Sequence, residues 1–185
     1  MIAVLKRSYS QLMLACLALA ALIVLSPVAR AADFSFDSID GGQIDLADWR
    51  GKPVLVVNTA SRCGFTPQYD ALQELHDRYG AQGLLVLAVP SNDFRQELAS
   101  EAEVKEFCDV NFNLTLPMTT ITHVTGAVAH PFYKWVRETA GFTPGWNFNK
   151  ILIGPDGTVL ETWGSPVRPT SGKVVSRIEG LLPKG

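Results

Sequence analysis

The chain has 185 residues, 47% of them hydrophobic and 18% charged. This is an ordinary balance for one globular domain, and the length excludes two full-sized ones. Its 16 basic and 18 acidic residues create no large single-sign field, which argues against a nucleic-acid partner. No internal repeat and no low-complexity tract interrupts it.

The first thirty residues differ in character from the rest. Lys6 and Arg7 give a basic start, and Leu12 to Leu25 is apolar apart from Cys16. Ala29 and Ala31 then form the A-x-A pair of a signal-peptidase site. The apolar core is shorter than the roughly 20 residues a bilayer span needs. The expectation is a signal peptide over residues 1–31, export to the periplasm, and one domain over residues 32–185; the competing reading is a retained membrane anchor. Cleavage after Ala31 takes Lys6, Arg7 and Arg30 from the 16 basic residues, leaving 13 against 18 acidic ones, a net charge of −5. It also removes Cys16, so Cys63 and Cys108 remain. In an oxidising compartment an even pair invites a disulfide, structural or catalytic.

Along the remaining chain, Phe34 to Phe36 and Gln43 to Leu46 alternate apolar and polar around Asp40-Gly41-Gly42, the pattern of a β-hairpin. Val54 to Val57 is a continuous apolar run, as expected of a strand buried on both faces. Tyr69, Leu72, Leu75, His76 and Tyr79 recur at helical spacing, with Pro67 before them and Gly80 after. Leu84 to Val89 reads as a second buried strand stopped by Pro90. Ser100 and Glu103 form a capping box opening a helix through Val104, Phe107 and Cys108. Pro131 to Arg137 is a short helical piece. Asn147 to Ile153 and Thr158 to Trp163 are strands joined by the turn Gly154 to Gly157, and Ser171 to Leu182 closes the chain as an amphipathic helix. Crossover units followed by an antiparallel hairpin describe an α/β fold of the thioredoxin-like type, with a central mixed β-sheet flanked by helices and an N-terminal β-hairpin.

Cys63 follows the first buried strand and precedes a helix. Free N–H groups and the partial positive charge at a helix start favour a thiolate there, and Arg62 adds a cation beside it. Taken alone, such a cysteine is a reactive thiolate or an inert core residue. Three blocks decide between these: Asn58 to Thr66, Val89 to Phe94, and Trp146 to Lys150. They resemble, in order, the signature segments of the glutathione peroxidase family, and the likeness spans essentially the whole chain after the leader.

That resemblance implies a peroxidase acting on hydrogen peroxide or organic hydroperoxides, with Cys63, Trp146 and Asn147 in catalytic positions. The indole N–H and the carboxamide can donate to a thiolate or a peroxide oxygen. The family glutamine aligns with Asp93, a departure. An ionised carboxylate donates no hydrogen bond and raises the pKa of a neighbouring thiol. Asp93 is therefore protonated, turned away, or relieved of the task by Gln96. The segment Arg95 to Leu98 also lacks the glycines usual in the family.

Peroxide attack leaves a sulfenic acid, which a second thiol converts to a disulfide. Of the two positions the family uses for that thiol, one is Ser91 here and the other resembles Cys108. The resemblance thus implies resolution by Cys108 and recycling by a thioredoxin-like protein or by glutathione. The alternative roles for Cys108 are core packing and a permanent disulfide. The resemblance implies a monomer, because the short stretch Thr125 to Pro131 is without the long insertion that animal tetrameric members of the family use for assembly. His76, His123 and His130 have no metal-ligand spacing, no nucleotide fingerprint is present, and no cofactor or metal is expected. A rival reading is a peroxide sensor or redox relay that passes its disulfide to a partner protein.

Overall fold

Side-chain alternation does form the opening hairpin. In the computed structural model, which describes residues 29–183, Ser35–Asp37 (β1) pairs antiparallel with Gln43–Asp45 (β2), and Phe36 and Ile44 turn inward together. Gly41 and Gly42 carry the turn at φ 90° and 77°, left-handed values that a side chain would oppose. The run Leu12 to Leu25 and Cys16 lie outside the described residues.

The two continuous apolar runs become the centre of a four-stranded sheet ordered β4-β3-β5-β6. Val54–Thr59 (β3) and Leu85–Pro90 (β4) are parallel and buried at every position. Lys150–Ile153 (β5) lies antiparallel to β3 on its other side, and Val159–Trp163 (β6) pairs antiparallel with β5. Pro90 does not stop β4 but ends it from within, opposite Thr59. Its missing N–H costs nothing there, because the N–H of Ser91 reaches the carbonyl of Thr59 at 3.0 Å. Pro117 to Thr119 covers the outer edge of β4 by exchanging backbone hydrogen bonds with Ala88. That pairing protects an edge that would otherwise be open.

Gln68–Tyr79 (α1), Glu101–Phe112 (α2) and Gly172–Glu179 (α4) pack on one face of the sheet, burying Tyr69, Leu72, Leu75, Val104, Cys108, Val174 and Ile178 with Leu55 and Val57. The hairpin and Pro131–Ala140 (α3) cover the other face with Phe36, Phe132, Trp135 and Val136. The expected capping box of α2 is formed by Ser100 and Glu103. Helix α3 runs to Ala140, where Gly141 at φ 64° ends it. His130 caps its start, accepting from the N–H of Phe132, and stacks on Phe36 at 4.1 Å.

Residues 29–33 lie against the domain. The Ala31 N–H donates to the Gly157 carbonyl at 2.9 Å, the Trp135 indole N–H donates to the Ala29 carbonyl at 2.9 Å, and the Arg30 guanidinium bonds the Asp156 carbonyl. Ala31 is 3% exposed.

Candidate active site

The turn joining β3 to α1 is held by one threonine. Thr66 Oγ1 accepts the Cys63 N–H at 3.1 Å and donates to the Ala60 carbonyl at 2.8 Å, while the Thr66 N–H donates to the Cys63 carbonyl at 3.0 Å. This closes a small loop around the cysteine, five residues ahead of the first residue of α1. Cys63 is 7% exposed, and its sulfur accepts the Phe65 N–H at 3.4 Å. The sulfur thus lies in the turn that leads into α1 and receives one backbone N–H. Arg62 beside it is exposed.

A second loop brings up the aromatic and amide groups. Asn58, at the end of β3, binds the 146–149 segment: its N–H donates to the Asn149 carbonyl at 3.3 Å, its Nδ2 to the Trp146 carbonyl at 3.0 Å, and its carbonyl accepts the Phe148 N–H at 2.5 Å. Phe148 adopts φ 59°, a left-handed turn that sends Trp146 outward and Asn147 inward. Trp146 is 41% exposed and lies 5.4 Å from the ring of Phe94, whereas Asn147 is fully buried. Asn147 Nδ2 donates to Gln96 Oε1 at 3.0 Å, and its Oδ1 has no partner.

Asp93 sits elsewhere. Its Oδ2 accepts the N–H groups of Val124 and Thr125 and the Thr125 hydroxyl at 2.7, 2.8 and 3.1 Å, and its Oδ1 is 2.7 Å from His123 Nδ1. Burial alone would raise its pKa, but the donors His123, Thr125 and Val124 outweigh burial and hold it below the usual carboxylate value. Both Asp93 oxygens are thus engaged with residues 123–125, while Gln96 is the residue bonded to Asn147. Asp93 organises the 123–125 loop.

Cys108 lies in the core of α2, fully buried, and neither it nor Cys63 is in a disulfide. Burial pushes its thiol up to about 11; the Tyr69 hydroxyl pulls the other way, and Glu97 and Asp109 add to the rise. Among the described residues no group of three His, Cys, Asp or Glu side chains is arranged to hold a metal.

Sequence reasoning missed the polar layer beneath the site. Lys150 is fully buried with Nζ at 2.6 Å from Gln68 Oε1 and 2.7 Å from the Phe148 carbonyl. Burial pushes its pKa down to about 7. Ser165 Oγ donates to the Asn147 carbonyl at 2.5 Å, and Gln68 Nε2 donates to the Ser165 carbonyl at 2.7 Å. This layer ties α1, β5 and the loop after β6 to the Trp146–Asn147 segment. The lysine belongs to a recognised block, but nothing local in the sequence announced that it is buried.

A profile described as glutathione peroxidase matches residues 31–137, a span holding Cys63, Gln96 and Cys108. A hydroperoxy fatty acid reductase of Synechocystis sp. is 39% identical over 160 residues, covering 80% of this chain and 94% of that protein. The chain belongs to the glutathione peroxidase family. A glutathione peroxidase of Lactococcus lactis is 42% identical over 142 residues, covering 74% of this chain and 90% of the relative. The crystal structure of Trgpx in apo form superposes with TM-score 0.64 at 32% identity, over 84% of this chain and 99% of that one. As a glutathione peroxidase family member the chain is a peroxidase, an oxidoreductase that reduces hydroperoxides with thiol chemistry, built on the thioredoxin-like fold.

Proposed function

We infer that this glutathione peroxidase family member is an exported, monomeric peroxidase in which Cys63 attacks hydrogen peroxide or an organic hydroperoxide. The observation that carries the reading is the placement of the Cys63 sulfur. It accepts the Phe65 N–H, and the next residue back, Arg62, is bonded through its N–H to Gln96, the partner of Asn147. The thiolate displaces ROH or water from the O–O bond and becomes a sulfenic acid. Cys108, once deprotonated, attacks that sulfur; an S–S bond forms, the S–O bond breaks, and the oxygen leaves as water with the proton Cys108 gave up. A thioredoxin-like dithiol reduces the disulfide in preference to glutathione, because Cys108 supplies the second thiol within the chain.

The test compares peroxide consumption by wild-type protein with thioredoxin and with glutathione in parallel. Sustained turnover with thioredoxin is expected. Turnover with glutathione alone would remove Cys108 from the mechanism. One observation favours the relay reading: Cys108 is fully buried, so until it is released the sulfenic acid on Cys63 is open to a thiol of another protein. A single turnover ending in a mixed disulfide with one partner protein would establish the relay.

Export rests on the basic start, the apolar run and the Ala29–Ala31 pair, which together indicate a periplasmic product beginning at Ala32. N-terminal sequencing of protein from the periplasm checks this. Intact Met1 material in the membrane fraction would overturn it.

A further inference from the structure

One aromatic ring stands clear of an otherwise covered site. Trp146 is 41% exposed, while Asn147 beside it is fully buried. Asn58 and Asn149 bond the Trp146 carbonyl, which fixes the backbone but not the ring. The ring's aromatic neighbour is Phe94, 5.4 Å away between centres and tilted by 45°, an attractive contact but a soft one. Phe94 rests in turn on the core beside α3, against the cluster that holds Val124, Phe132 and Tyr133. What holds Phe94 in that place is the residue before it. The Asp93 side chain is 10% exposed. Its Oδ2 meets the Val124 N–H, the Thr125 N–H and the Thr125 hydroxyl, and its Oδ1 meets His123 Nδ1. The loop it binds is anchored independently, the Thr122 N–H on the Pro90 carbonyl and the His130 N–H on the His123 carbonyl, both at 2.8 Å. The carboxylate therefore joins the segment after β4 to a braced loop. His123 and, from α3, the buried Tyr133 are the titratable groups that face it. Burial raises the Asp93 pKa but its donors outweigh burial, so this joint is charged at neutral pH.

We propose that Asp93 is a positioning residue for Trp146: its carboxylate pins the 93–94 segment to residues 123–125, and Phe94 passes that fixed position on to the indole. The glutamine that the family places in line with Asp93 has one acceptor oxygen where the carboxylate has two, so the latch follows from this chain's departure from the family. The inference rests on the peroxidase reading above and on the part expected of the indole in it, but one of its measurements does not use peroxide.

Two quantities are measured in a Cys108→Ser background: acrylamide quenching of Trp146 fluorescence, and the rate of Cys63 oxidation by peroxide. The chain has four tryptophans, so the Trp146 signal is taken as the difference between each protein and its Trp146→Phe counterpart. Asp93→Asn removes the charge at nearly constant size. Phe94→Leu removes the aromatic contact and leaves the latch. Each should raise the quenching by about twofold and slow oxidation by about tenfold, the order of loss when a positioned group is displaced. The double variant should lie within about twofold of Phe94→Leu in both readouts, because the two residues act through one contact. If Asp93→Asn keeps the parent quenching or the parent rate, or if the losses of the two single variants multiply in the double, the proposal fails. If Asp93→Asn does not fold, His123→Ala decides alone. It removes one of the Asp93 contacts from an exposed position, and an indole quenched no more than in the parent overturns the proposal. A parent protein that ignores peroxide would sink the peroxidase reading, yet the quenching series would still decide on the latch.

Discussion

Cys63→Ser is expected to bring peroxide turnover down to the uncatalysed background while the protein stays folded. The serine oxygen would occupy the place of the sulfur, in the turn before α1 and within reach of the Phe65 N–H. A hydroxyl with no adjacent base is not ionised at neutral pH, and it is a weak nucleophile in that form. The loop around it is closed by Thr66 bonds to the backbone of residues 60 and 63, which the substitution does not touch. The stability change should therefore be about 1 kcal/mol or less, the common size for a single replacement. Peroxide consumption and thermal melting measured on the same preparation check both halves. Appreciable turnover in a folded Cys63→Ser protein would refute the mechanism.

Cys108→Ser should separate chemistry from recycling. The variant should consume one equivalent of peroxide per protein at the wild-type rate, then fail to turn over with thioredoxin. Cys63 should drift to irreversible over-oxidation, visible by mass spectrometry. The reason lies in the burial of Cys108. With its pKa pushed from 9.0 up to about 11, the thiol is protonated at neutral pH in the folded protein, and only a thiolate attacks a sulfenic sulfur. Helix α2 must open to release it. Only Val104 and Cys108 of its residues are fully buried, and Glu101, Glu103, Glu106, Asp109 and Val110 face solvent, so local opening is inexpensive. Hydrogen exchange along Ser100 to Asn111 should accelerate when the wild-type protein is oxidised. The same thiol also marks the alkaline stability. Its folded pKa lies above its unfolded value, so its contribution is complete below about pH 9 and is lost as pH rises towards 11. Urea midpoints of Cys108→Ser should lack that decline. Thioredoxin-driven turnover at the wild-type rate in Cys108→Ser would make Cys108 a packing residue and return glutathione as the leading reductant.

Much of this architecture was legible because it is written in local patterns. Alternation gave the hairpin, unbroken apolar runs gave β3 and β4, and Ser100 with Glu103 gave the start of α2, each within a few residues of sequence. The environment of Asp93 was not legible, since its partners lie 30 to 32 residues away and a carboxylate carries no sign of which loop it will bind. Gln96 could be named as a substitute but not chosen, because its meeting with Asn147 spans 51 positions. Lys150 was hidden for a different reason. Its burial is tolerated only because Gln68, Phe148 and Ser165 oxygens from three parts of the chain converge on one ammonium.

The contacts of residues 29–31 set an order of events. A peptidase needs an extended, reachable bond, yet the Ala31 N–H is bonded to Gly157 and its side chain is covered. The proposed scission after Ala31 would therefore have to act on a chain that has not yet folded, since folding first would shield the cut site behind α3 and the β5–β6 turn. Were Ala29 to Ala31 removed, the Trp135 indole N–H and the Gly157 carbonyl would lose their partners and turn to water. On the export proposal, precursor and product would differ in more than a leader: the trimmed domain would surrender the hydrogen bonds that tie residues 29–31 to Trp135, Asp156 and Gly157 together with one buried methyl, and a molecule that folded too early would be both the sturdier form and the one that escapes processing.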